Sequence, residues 1–362
     1  METLQQLINV MRVQTTTYND IKMQRFIFKA LEKMNLKHET DSYGNIYVTK
    51  GKADLYPTMV CHIDTVHKIN MNAEVIKVRN KLIAIDTSSM ERYGIGGDDK
   101  VGIFITLQLL QRFNNFKAVF FRDEEHGCIG SGQANFDFFN DSTCVLQCDR
   151  KGISDFVNNI SGTKLFDDKF QKAIQRILDK HFRKVTYGGI TDVGEIAENN
   201  NVMVANMSCG YYDPHSDNEY IVIDDVYDTL EMCQQILEVT SHKRWEMDRP
   251  KYNYGNNLNY RNTHSLYGDY YDYEDWYDIN DKPINYKKET SIVDKHGDIF
   301  DYKCEKCGHD HLLYDETCHD IYCYNCNDYV NAKHKVYNTC IWDDIEEEMY
   351  GENIKQSNNY GI

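Results

Sequence analysis

The sequence predicts an α/β fold: a mostly parallel central sheet flanked by helices, followed by a polar segment and a small cysteine-rich module. Three observations predict it. Four short apolar runs, "PTMVCHID", "KAVFFRDEE", "STCVLQCD" and "NVMVANMSCG", are bounded by turns or polar residues, as strands buried on both faces are. Stretches with apolar residues at helical spacing lie between and after them. From about residue 246 to 298 the aliphatic residues nearly vanish, and cysteines then bunch together.

Taken in order, "LQQLINVM" and "YNDIKMQRFIFKALEKM" read as amphipathic helices, and "PTMVCHID" as the first buried strand. The glycine-rich turn "GIGG" opens a helix at "VGIFITLQLLQRF", and "KAVFFRDEE" and "STCVLQCD" follow as strands. A helix at "FQKAIQRILDKHF", the strand "NVMVANMSCG" and a closing helix at "DVYDTLEMCQQILEVTSH" complete the series. Such alternation puts helices on both faces of a parallel sheet, and ligands then bind beyond the carboxyl ends of the strands.

A chain of 362 residues holds one large domain and one small one. We place an α/β domain at 1–245, a Tyr/Asn/Asp-rich linker at 246–298, a zinc ribbon at 299–340 and an acidic, polar tail at 341–362. The linker, "PKYNYGNNLNYRNTHSLYGDYYDYEDWYDINDKPINYKKE", cannot supply a core of its own; it reads as a mobile connection or as a tyrosine-rich surface for a protein partner. A hydrophobic content of 41% and a charged content of 27% are those of a soluble globular protein. The N-terminal segment lacks the basic and apolar regions of an export signal, and no apolar run approaches a membrane span, so a cytoplasmic location with no membrane partner is expected. The formal charge of −17 argues against nucleic acid as a partner.

The C-terminal cysteines carry a strong signal. "CEKC" at Cys304 and Cys307 and "CYNC" at Cys323 and Cys326 are two Cys-x2-Cys knuckles fifteen residues apart, the spacing with which four thiolates close a tetrahedral shell around one structural zinc. Between Asp301 and Val330 two lysines face seven acidic residues, so this ribbon would repel phosphate and reads as a folding staple or a protein-contact module.

The chemistry gathers at the strand ends of the first domain. In "CHIDTVH", His62 and Asp64 are two residues apart, so in an extended chain one imidazole can bind a metal while the carboxylate orients it. "GIGGDDKVGI" places Asp98 and Asp99 between a glycine turn and a helix; "FFRDEEHG" sets Asp123, Glu124 and Glu125 at the end of an apolar run, where like charges repel and lose hydration. Asp149 ends a third run, and "GYYDPHSDNEY" offers His215 after a fourth. Two histidines and three carboxylates at separate strand ends form the ligand mix for a pair of divalent ions, one carboxylate bridging. A spare glutamate beside a ligand glutamate is what metal-assisted hydrolysis needs as its base.

The order His-x-Asp, Gly-x-Asp-Asp-Lys, Asp-Glu-Glu-x-Gly, strand-end Asp, Gly-Gly-x-Thr-Asp and late Pro-His resembles the catalytic domain of the co-catalytic zinc exopeptidases, in particular the peptidase T-like branch. "DSYGNIYVTKG", "GGITDVG" and "CGYYDPHSDNEYI" match as well, and the resemblance spans residues 1 to about 245. It implies one zinc on His62, Asp98 and Asp149 and a second on Asp98, Glu125 and His215, with Asp98 bridging and the Asp98–Asp99 peptide bond cis. It further implies that Asp64 orients His62, that Glu124 is the general base, and that Gly189, Thr191 and Asp192 lie on a loop near the substrate cleft. The implied activity is hydrolysis of a peptide bond, by an aminopeptidase or small-peptide exopeptidase. The same metal centre would also serve an N-acyl amino acid amidohydrolase, and a non-catalytic scaffold working through the ribbon is the reading from another class.

Two departures stand out. Only residues 150–187 separate Asp149 from the "GGITDVG" loop, room for one helix but not for the lid or dimerisation domain found there in peptidase T. Gly97 stands where that family usually has alanine.

Overall fold

The protein is seen in a computed structural model that describes residues 2–249 continuously and, beyond them, only the backbone of five short strands. The chain divides into two compact units, Met1–Asn253 and Tyr254–Ile362. In the first, helices α1 (Glu2–Arg12) and α2 (Ile21–Lys33) lead into strands β1 (His38–Thr40), β2 (Ile46–Lys50) and β3 (Tyr56–His62). A hairpin of β4 (Ala73–Val78) and β5 (Lys81–Asp86), with β6 (Glu91–Tyr93), precedes helix α3 (Gly97–Arg112) and strand β7 (Phe116–Phe121). After the short helix α4 (Ile129–Gly132) come β8 (Ser142–Arg150), β9 (Asp155–Ile160), β10 (Thr163–Lys164), helix α5 (Asp168–Lys180) and β11 (Lys184–Gly188). Helix α6 (Asp192–Asn199), strands β12 (Val204–Ser208), β13 (Tyr211–Tyr212) and β14 (Tyr220–Val222), and helix α7 (Ile223–Thr240) complete the unit.

Nine strands form one sheet in the order β1-β2-β7-β3-β8-β12-β9-β10, with β11 added to β9. The four apolar runs of the sequence are its centre: β7, β3, β8 and β12 are mutually parallel, while antiparallel pairs join both flanks to them. Every residue of β3 and β7 is buried, which explains why these segments are apolar throughout rather than alternating. Alternation along β8 shows the helices to lie on both faces. Cys144 and Cys148 point one way, to within 3.4 Å of Thr240 and Cys233 on α7. Gln147 points the other way and accepts from the backbone N–H of Val193 on α6 at 3.0 Å.

Strands β9, β10 and β11 in the 150–187 connector extend the sheet, and with α5 they account for the segment; the described residues contain no separate lid. A second sheet, β13-β14-β5-β4 with β6 on β5, was not anticipated from the sequence. It holds at its β13–β14 hairpin the loop that carries His215. Packing in this unit continues past residue 245: the Arg249 guanidinium donates to the carbonyls of Leu165, Asn200 and Val202.

In the second unit β15 (Ser291–Val293) pairs with β16 (Ile299–Asp301), and β17 (Leu312–Asp315), β18 (Asp320–Cys323) and β19 (Asp328–Val330) form an antiparallel sheet. Cys323 closes β18, but its side chain, Cys304, Cys307 and Cys326 lie outside the described residues, as do the tail and nearly all of the linker. Among the described residues no helix is long and apolar enough to cross a membrane.

Candidate metal centre

Because β7, β3 and β8 are parallel neighbours, their carboxyl ends lie side by side, and each delivers acidic or imidazole groups to one place. His62 is the last residue of β3 and pairs with Phe121, the last of β7. Its ring is fully buried, and Nε2 lies 3.2 Å from Asp98 Oδ1, 3.5 Å from Asp149 Oδ1 and 3.8 Å from Glu124 Oε2. His215 Nε2 lies 3.3 Å from the other oxygen of Asp98, Oδ2, and 3.1 Å from Glu125 Oε2. The two oxygens of Asp98 thus face two different histidines, one flanked by Asp149 and the other by Glu125. The peptide bond between Asp98 and Asp99 is cis.

Asp99 turns the other way. Its carboxylate accepts from Gly102 N–H at 2.9 Å and from His62 N–H at 3.4 Å, capping the regular helix that starts after it. A Cβ on Gly102 would fall 2.3 Å from that carboxylate, so the glycine is required by close approach.

Glu124 and Glu125 do not alternate on a continuing strand. Strand β7 ends at Phe121, and Asp123 adopts a left-handed backbone (φ 53°) that turns the chain before the pair. Asp123 is itself buried: its carboxylate accepts from Tyr18 N–H at 2.8 Å and from the Tyr43 hydroxyl at 2.7 Å, so it anchors the turn. Arg122, the preceding residue, is held by Asp20 through Nε at 2.6 Å and a second guanidinium nitrogen at 3.1 Å. The apparent excess of charge in "FFRDEEHG" is therefore shared between scaffold and site: Arg122 and Asp123 build the turn, and the glutamates reach the centre.

Asp64 ties these parts together. Its carboxylate accepts from Glu124 N–H at 3.0 Å, Glu125 N–H at 3.4 Å and the Thr17 hydroxyl at 2.9 Å, and Oδ1 lies 3.4 Å from His62 Nδ1. Burial pushes its pKa up, but these bonds outweigh that and leave it below the ordinary range. His62 Nδ1 also lies 3.1 Å from the backbone carbonyl of Asp64.

Thr191 and Asp192 turn inward. The Thr191 hydroxyl lies 2.7 Å from Asp149 Oδ2, and Asp192 Oδ2 accepts from Gln147 Nε2 at 3.0 Å; both residues are buried. Gly189 is exposed, with nothing near the position of a Cβ. Asn206 accepts from Asp149 N–H at 3.0 Å, adding a further support from β12. Sequence reasoning assigned no role to Gln147, Asn206, Thr17, His67 or Glu219. All but Thr17 sit inside quoted segments, "STCVLQCD", "NVMVANMSCG", "CHIDTVH" and "GYYDPHSDNEY", and could have been flagged by that position.

The donor set fits divalent ions. His62, Asp99 and Asp149, and His62, Asp98 and Glu125, each bring ligand atoms within 4.8 Å of one another. Burial, opposed in part by His62 and reinforced by Asp149 and Asp192, holds Glu124 well above the usual carboxylate range. Burial and the nearby Asp98 push Asp149 up to about 7, and burial pushes Asp192 up to about 6. Hydrogen bonds to Asp98 and Glu125 push His215 up to about 11. Glu125 Oε1 is buried with no hydrogen-bond partner. Crowded buried carboxylates with an orphaned oxygen and two imidazoles are an oxygen- and nitrogen-rich set that cationic charge would stabilise.

No protein-family model matches the chain, and no curated protein is significantly similar to it. Among solved structures, the fold is similar to that of aminopeptidase PepT from Bacillus cereus, at 12% identity and a TM-score of 0.56 over 66% of this chain and 98% of that one. It is similar to a tripeptidase from Staphylococcus aureus at 14% identity and a TM-score of 0.53, over 67% of this chain and 98% of that one. An aminopeptidase from the archaeon Desulfurococcus kamchatkensis aligns over 67% of this chain and 97% of its own, at 12% identity and a TM-score of 0.51. At such identities the likeness is one of fold.

Proposed function

We propose that the chain is a metal-dependent hydrolase of peptide bonds, an aminopeptidase or small-peptide exopeptidase. The observation that carries this reading is the pair of histidines facing opposite oxygens of Asp98, with Asp149 and Glu125 beside them and Glu124 at the same strand ends. The fold likeness to two aminopeptidases and a tripeptidase supports it.

In this reading His62, Asp98 and Asp149 hold one zinc and Asp98, Glu125 and His215 the other. Asp98 is preferred to Asp99 as the shared ligand because the Asp99 carboxylate is already committed to two backbone N–H groups. Divalent ions held by these residues would supply an acidified water near neutral pH and polarisation of the scissile carbonyl. Glu124 takes the proton of the attacking water and returns it to the leaving amine. Asp64 fixes the backbone of both glutamates while it orients His62, so one buried carboxylate sets the spacing between base and ligands. Thr191 holds Asp149 in place, and Gly189 on the same loop leaves room for substrate. The two Cys-x2-Cys knuckles, Cys304, Cys307, Cys323 and Cys326, are assigned a third, structural zinc on their spacing.

The test is a panel of short peptides and N-acyl amino acids with the parent protein and Glu124→Gln. The parent should release N-terminal residues from peptides, and the variant should keep its metal but lose about 10²- to 10⁴-fold in rate. Retained activity in the variant would remove Glu124 as base. Cleavage of N-acyl amino acids with peptides untouched would move the assignment to an amidohydrolase.

A further inference from the structure

We infer that Glu219 and His67 form a clamp that sets the position of Asp98, the carboxylate shared between the two histidines; the inference rests on the two-metal reading above. Glu219 lies four residues beyond His215 on the loop between β13 and β14, and its side chain is fully buried. One oxygen, Oε1, accepts from the backbone N–H of Asp98 at 3.1 Å. The other, Oε2, accepts from Gly96 N–H at 2.8 Å and lies 2.7 Å from His67 Nε2. A single carboxylate therefore grips the glycine turn on both sides of Gly97 and is itself held by an imidazole from "CHIDTVH". The Glu219 backbone carbonyl accepts from Arg92 at 2.9 Å, which fixes the clamp to β6.

The glycines of "YGIGGDD" show how closely the clamp fits. A Cβ on Gly94 would fall 2.0 Å from the His67 ring. One on Gly97 would fall 2.7 Å from Tyr211 Cβ and 3.2 Å from Glu219 Oε1. The departure of Gly97 from alanine thus has a local cause: Tyr211 and Glu219 occupy the space a methyl group would take.

The same short loop holds Asp98 twice, through its side chain by His215 and through its backbone by Glu219. If the backbone at Asp98 is released, its two oxygens no longer present themselves to both histidines, and the shared ligand is lost to one ion or both. Neither His67 nor Glu219 lies within hydrogen-bond reach of the two histidines, so both act by positioning. Partners that hold ligands in this way are worth about 10- to 100-fold in metal affinity.

The test is a cobalt(II) titration of the chelator-treated full-length chain, read by calorimetry and by the visible absorption of the bound ion, for the parent, Glu219→Gln and His67→Phe. Glu219→Gln places an amide nitrogen against a backbone N–H. It should weaken at least one of two bound ions by about 10- to 100-fold and change the cobalt spectrum, with circular dichroism unaltered. His67→Phe keeps the ring's shape, removes one contact to Glu219 and should weaken binding by a smaller factor. A folded Glu219→Gln that binds two ions with parental affinity and spectrum overturns the clamp and leaves the two-metal reading standing. A parent that binds no exchangeable cobalt overturns both. If Glu219→Gln does not fold, His67→Phe decides, and parental binding in that variant overturns the clamp.

Discussion

Replacing Asp64 by asparagine changes no shape but divides its partners. The carboxylate accepts from Glu124 N–H and Thr17 through bonds of 3.0 and 2.9 Å, with Glu125 N–H at 3.4 Å. The amide keeps one acceptor and turns a donor to the other side. It should keep its oxygen toward Glu124 N–H, because the Thr17 hydroxyl can reverse and accept whereas a backbone N–H cannot. What is lost is the charge on one charge-assisted bond and the acceptor for Glu125 N–H. A hydrogen bond to a charged group is worth about 1.5–3 kcal/mol and an unsatisfied buried donor costs about 1–3 kcal/mol, so Asp64→Asn should destabilise by about 2–4 kcal/mol, a large share of the 5–15 kcal/mol typical of a domain. Metal affinity should fall near the lower end of the range for such supports, about 10-fold, because His62 Nδ1 keeps the Asp64 backbone carbonyl at 3.1 Å. Urea unfolding with and without chelator gives the first quantity and calorimetric metal titration the second. A variant within about 0.5 kcal/mol of the parent, the size of an ordinary surface substitution, would refute the role of Asp64 as the tie between His62 and the glutamates.

Gly102→Ala pits two effects against each other. Alanine favours a helix by about 1 kcal/mol over glycine, but here its Cβ would meet the Asp99 carboxylate at 2.3 Å and displace the cap. Overpacking and cap loss should win by about 1–3 kcal/mol in urea unfolding; a stabilised variant would show that Asp99 has room to move. Asp20→Ala removes a carboxylate to which the buried Arg122 guanidinium donates twice, while its bond to the Tyr43 carbonyl remains. It should cost about 3–5 kcal/mol, read by thermal unfolding, and a loss below about 1 kcal/mol would mean that the pair behaves as an exposed one.

The centre of the fold was legible because its strands are buried on both faces and so leave continuous apolar runs. The second sheet was not picked out, although "AEVIKVRNKLIAID" has the form of a hairpin: its strands are mostly half-buried or exposed, so no fully buried apolar run marks them. The site residues were legible as chemistry at strand ends, since His62, Glu124, Glu125, Asp149 and His215 each follow or close an apolar run. Their geometry was not legible. Asp123 in a left-handed turn, rather than alternation along a strand, brings the glutamates to the centre, and no local pattern announces a positive φ at an aspartate. The supports were hidden for another reason: Thr17 lies outside every motif, and Gln147 and Glu219, although they sit beside candidate ligands in sequence, make their contacts across 45 and 121 positions, so the sequence marks their place and only the fold reveals their partners.

The proposed two-metal centre at the strand ends is decided by metal stoichiometry. Zinc determined on the purified full-length chain before and after exhaustive chelation should give two exchangeable ions per chain beyond any held by the C-terminal thiolates, with peptide hydrolysis lost on their removal and regained on their return. One exchangeable ion or none, or hydrolysis unaffected by chelation, would contradict it.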